Sequence, residues 1–146
     1  MEAISLPRTG TAKLSFQGEL IAEASSKRHQ GPAENRWFEL AVYRRENYEI
    51  SPDGKIIGSY VIAIGFRTCW QGELDRDFAE PRGDADSVRT AFESFDPCDP
   101  ALWRGIPENV HDAERRNSYY RDAIGAAYRA AVSELLQSDE FAEVLA

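Results

Sequence analysis

Cysteine, histidine and methionine are scarce in this 146-residue chain, at two, two and one. Cys69 and Cys98 allow at most one bridge, so the chain is no disulfide scaffold, and its length suffices for an ordinary core. Cys69, Cys98 and His111 stand 29 and 13 residues apart, with no close pair. Structural zinc sites draw their ligands from close pairs, so neither a metal nor another cofactor is expected. Long apolar runs are missing too. The longest, Tyr60 to Phe66, falls far short of the roughly 18–20 residues that cross a bilayer. The segment Met1 to Arg8 carries an acid where a signal peptide carries bases, and it has no apolar core. The expectation is a cytoplasmic protein with reduced thiols and no membrane partner. Glycines occur singly, in neither a P-loop nor a dinucleotide-binding pattern. No serine nucleophile motif and no zinc-protease helix motif is present.

Acid is plentiful. Seventeen basic against 25 acidic residues give a net charge of -8, which disfavours direct binding to a phosphate backbone. The excess is confined to one half: residues 1–73 hold nine basic and nine acidic side chains, residues 74–146 eight and sixteen. No lysine follows Lys55. Lys27, Arg28 and His29 form the one compact basic cluster, on a polar loop over 24–35 that reads as mobile and, with Arg36 just after it, able to touch a phosphate locally.

Length and composition point to a single globular domain over 1–146, with 1–10 as a loose lead-in containing Pro7 and Gly10. Residues 11–24 alternate, with Leu14, Phe16, Leu20 and Ala22 on one side and Ile21 out of phase. Gly18 within this run signals a bulge or a close backbone contact. Residues 36–44 form a second strand, with Phe38, Leu40 and Val42 facing one way. Ser51 to Gly54 is a turn, flanked by segments that extend a hairpin. In 56–68, Tyr60, Ile62, Ile64 and Phe66 share one face and Val61, Ala63 and Gly65 the other; the small face suits a closely packed slim helix. Residues 73–80 read as an acidic loop, and Pro81 to Gly83 as a breaker.

Asp84 or Asp86 caps a helix whose Val88, Ala91, Phe92 and Phe95 form an apolar stripe. Pro100 starts a short helical turn. The main helix lies within 109–137, begins between Val110 and Asn117, and buries Tyr120, Ile124, Ala127, Tyr128, Ala131, Val132 and Leu135. The fold class is therefore α+β: an antiparallel meander of three to four strands, packed on one face by two to three helices.

Two sets of residues are candidates for function. Glu73, Asp75 and Asp77, with Glu39 nearby, would serve a small Mg²⁺-dependent hydrolase, since clustered carboxylates bind Mg²⁺ or share acid and base roles. Trp103, Arg115, Tyr119 and Tyr120, with Asp122 and Glu134, have the composition of an interface, where aromatics and arginine dominate. The leading expectation is a non-catalytic acidic module that binds a basic protein surface. Where that surface normally holds nucleic acid, the module would inhibit by mimicking it. The outline resembles, in type, small proteins of phages and mobile elements that act by binding another protein. A homo-oligomeric accessory protein, a homodimer in its simplest form, is the third reading.

Overall fold

The computed structural model describes residues 2–29, 36–45, 49–50, 52, 56–57, 59–69, 74–99 and 118–137. The alternating segments form an antiparallel sheet: β1 (Glu2–Leu6), β2 (Leu14–Ser25), β3 (Arg36–Arg45), β6 (Tyr60–Thr68) and β7 (Arg76–Arg82), in the order β1-β2-β3-β6-β7. Between β3 and β6 lies a two-stranded ribbon, β4 (Glu49–Ile50) with β5 (Ile56–Ile57). Among the described residues two helices follow, α1 (Ala85–Ser94) and α2 (Ser118–Leu136).

The sheet is thus α+β and antiparallel as expected, but it has five strands rather than three or four. Both added strands are edges. The expected lead-in contains β1, which pairs with β2 from Glu2 opposite Gly18 to Leu6 opposite Leu14. The expected acidic loop and breaker contain β7. Pro81 sits within it, which an edge strand tolerates because its missing N–H can face away from the ladder.

The core forms where the large faces of β3 and β6 meet the helices. Phe38, Leu40 and Val42 stand beside Ile62, Ile64 and Phe66, all essentially buried. α2 crosses β2 and β3 through Ile124, Tyr128, Ala131 and Leu135, while α1 lies over β6 and β7 through Val88, Ala91 and Phe92. Phe38 is the hub, with the rings of Phe66, Phe95 and Tyr128 within 5.2–5.8 Å. The buried Tyr128 hydroxyl donates to the Phe92 carbonyl at 2.6 Å and so ties the helices together. The slim helix therefore lies across β2 and β3 on the sheet face that carries the large side chains, not on the small face of β6, because large side chains supply the apolar area worth burying.

The single alternation expected along β2 is broken. A register shift between Leu20 and Ala22 makes Ile21 an extra residue. Ile21, Ala22 and Ala24 enter the core, whereas Leu20 turns to the opposite face and stays 46% exposed. Below the bulge, the β1–β2 hairpin leans over that opposite face, and Phe16 meets Tyr43 edge-on at 5.6 Å. The connection from β1 then reaches the far edge of the sheet. Thr9 N donates to the Asp77 carbonyl at 2.8 Å, and Asp77 N donates to Thr9 Oγ1 at 2.7 Å. The sheet is curled into a half-barrel with its first and last strands tied.

Candidate functional site

The face of the sheet away from the helices is built in rows set by the register. Ser25, Glu39, Gly65 and Asp77 are consecutive partners across β2, β3, β6 and β7. The next row is Glu23, Ala41, Ala63 and Ala79. Ala41, Ala63 and Gly65 therefore make a low floor, walled by Tyr43 and rimmed by Leu6 and Pro7 of the overhanging hairpin. The groove has a volume of about 230 Å³.

Four charged side chains line it. The Arg67 guanidinium folds over Gly65, where a Cβ would lie 2.7 Å from it. It donates to Asp77 Oδ1 at 2.8 Å and to the Arg76 carbonyl at 3.3 Å. Arg67 and Asp77 thus satisfy each other. Glu39 Oε1 accepts from Trp37 Nε1 at 2.6 Å and from Ser25 Oγ at 3.2 Å, both neutral donors. Neither Glu39 nor Glu23 joins an ion pair among the described residues. Burial, and then the Glu23 charge, raise the Tyr43 pKa, so its hydroxyl remains a protonated donor.

The structure brings Asp77 and Glu39 into one row but puts Asp75 elsewhere, since its Oδ1 accepts from Thr68 N at 3.0 Å at the end of the β6–β7 hairpin. Glu73 lies outside the described residues, as do Trp103 and Arg115. Tyr119 and Tyr120 fall in the first turn of α2, their side chains outside the described atoms. Asp122 is exposed. Glu134 is engaged: Arg28 Nη1 lies 3.0 Å and His29 Nε2 2.7 Å from its carboxylate, holding the short 3₁₀ turn Lys27–His29 against α2. Arg28 and His29 thus contact α2 through Glu134, and Lys27 lies over the Trp37 ring at 4.3 Å. Arg36 is fully buried and so takes no part in a surface phosphate contact.

The acidic half carries half of its described carboxylates on α1, its N-cap and the turn after it. Five acids, Asp84, Asp86, Glu93, Asp96 and Asp99, accompany the single base Arg89. Asp84 is the N-cap, its Oδ1 accepting from Ser87 N at 2.7 Å, and Asp96 Oδ1 accepts from Cys98 N at 2.9 Å. Asp86 is 88% exposed and only loosely paired with Arg89, at 3.9 Å. Glu93 is exposed and in no ion pair among the described residues.

Reading the sequence missed Glu23, Tyr43 and Arg67 as partners. The stripe of small residues was visible, but the register that surrounds it with charge was not. Among the described residues no three His, Cys, Asp or Glu side chains converge to hold a metal ion, and no helix is long and apolar enough to cross a membrane. Comparison with known proteins finds no matching family model, curated protein or solved structure.

Proposed function

We propose that the chain is a non-catalytic acidic module that binds a basic surface of another protein, with α1 and the turn after it as the contact face. The observation that supports this is the placement of Glu93, exposed and unpaired among the described residues, at the C-terminal end of α1. The helix dipole disfavours negative charge there. A surface that only kept the protein soluble would be more stable with its acids at the other end. Where the partner's basic surface normally holds nucleic acid, binding would block it, as a nucleic-acid mimic does.

The test is capture of the partner with the full chain, followed by association kinetics at two salt concentrations. Charge steering predicts association that slows as salt rises and slows again in Asp86→Lys and Glu93→Lys. Association indifferent to salt and to both reversals would overturn the reading. So would Mg²⁺-dependent hydrolysis that Asp75→Ala and Asp77→Ala abolish.

A further inference from the structure

We infer that the cavity between α1 and the β7 edge binds a small monocarboxylate with an apolar body, its carboxylate on Arg8 and its body against Phe78 and α1. The cavity has a volume of about 380 Å³, within the roughly 300–1,000 Å³ of small-molecule sites. Its wall is apolar, made by Ile62 and Ile64 of β6, Phe78 of β7, and Ala91 and Phe95 at α1. Ala91 is the one short side chain in the α1 stripe of Val88, Ala91, Phe92 and Phe95, and the space opens beside it. Phe78 stays 40% exposed although Phe95 meets it edge-on at 5.4 Å. A ring left open on a concave apolar wall is area that a ligand can still bury.

The charges of the lining set the sign of the ligand. Arg8, Asp77, Glu80 and Arg82 line the cavity. Asp77 is neutralised by Arg67, which is not part of the lining, and Glu80 pairs with Arg82. Arg8 joins no ion pair among the described residues, so the described lining carries one surplus positive charge in a chain of net charge -8. Arg8 is also oriented. Its Nε donates to the Ala12 carbonyl at 2.8 Å, which leaves both Nη groups to donate in parallel to a carboxylate. Thr9 stands beside it in the lining. Thr9 Oγ1 accepts from Asp77 N, so the hydroxyl keeps its own proton to donate. A dianion would exceed the single surplus charge, and inorganic phosphate would leave the apolar wall uncovered. A monoanion with an apolar body matches both. Asp86 and Glu93 do not line the cavity, so this inference is independent of the charge reading of α1.

The experiment is a titration of the isotope-labelled full chain with phenylacetate and with hexanoate, followed through its backbone amide resonances. Phenylacetamide and hexanamide, the neutral counterparts, are the controls. The expected result is saturable shifts at Thr9, Ala79 and Ala91 with the acids, and binding about tenfold weaker with the amides, the effect of losing one charge-assisted contact. Arg8→Gln should erase the preference for acid over amide. Phe78→Ala should weaken acid and amide alike, about tenfold, by removing apolar area from the wall. Acid and amide binding equally well, or no saturable shifts at the cavity with either acid, would overturn the proposal on the unmodified chain. A preference for the acid that survives Arg8→Gln would overturn it as well.

Discussion

Gly18 and Gly65 both stand where a side chain would collide, but with different objects. A Cβ on Gly18 would strike the Arg44 carbonyl, which the β2–β3 ladder holds in place. A Cβ on Gly65 would strike the tip of the Arg67 side chain, which can swing away. Gly18→Ala should therefore cost about 2–3 kcal/mol as overpacking. Gly65→Ala should change stability by less than about 1 kcal/mol, because an entropy gain in the unfolded chain offsets the displaced Arg67. Denaturant midpoints check both, and equal losses would mean that Arg67 is held as firmly as backbone. Tyr128 offers a second test. Tyr128→Phe leaves the buried Phe92 carbonyl unpaired and should cost about 1–3 kcal/mol. Burial raises the Tyr128 pKa above its ordinary value of 10.0, and that of Tyr43 moves the same way. Above pH 10 the unfolded chain releases these protons while the folded chain keeps them, so stability falls as pH rises. Unfolding midpoints at pH 9 and pH 11 should show that fall, and Tyr128→Phe should make it shallower.

The elements that periodicity revealed are those that bury one full face. β3, β6 and α1 carry uninterrupted stripes through Phe38, Ile62 and Val88, and their bounds follow from those stripes, except that 56–57, read as the start of β6, pair with β4 instead and β6 begins at Tyr60. β1 and β7 were hidden because an edge strand gains its place from a neighbour, not from its own apolar face. In β7, Asp77 and Glu80 interrupt the pattern, and Asp77 is paired with Arg67 of the neighbouring strand. Half of β2 was misphased because a bulge moves every later residue to the other face, and no local signal states which residue is extra. The groove was legible only as a run of small residues, since its charges come from four strands. The Thr9 clamp was likewise invisible, as it depends on the curl of the whole sheet. Thr9→Val keeps the shape and removes the acceptor for Asp77 N, so it should cost about 1 kcal/mol. Its signature is faster hydrogen exchange at the Asp77 amide with little change at Ile64 in the centre of the sheet. Unaltered exchange at Asp77 would mean that the half-barrel closes without Thr9.

At the scale of the whole molecule, the net charge of -8 must be held against its own repulsion, and where the acids sit decides what they cost. Asp86 lies in the first turn of α1, where the helix dipole favours it, and Glu93 in the last, where the dipole opposes it. Asp86→Lys should therefore lower stability by about 0.3–1 kcal/mol. Glu93→Lys gains a dipole term of similar size, offset by about 0.2–0.5 kcal/mol from Arg89 one turn earlier, and so should stabilise slightly. Both substitutions move the net charge by the same amount on the same helix. If α1 is the contact face for a basic partner, both should slow association alike while stability moves in opposite directions. Parallel measurement of unfolding midpoints and association rates separates the two effects, and both should shrink at high salt. Association rates that follow stability, or that ignore both reversals, would leave α1 as a solvated helix and remove it from the interface.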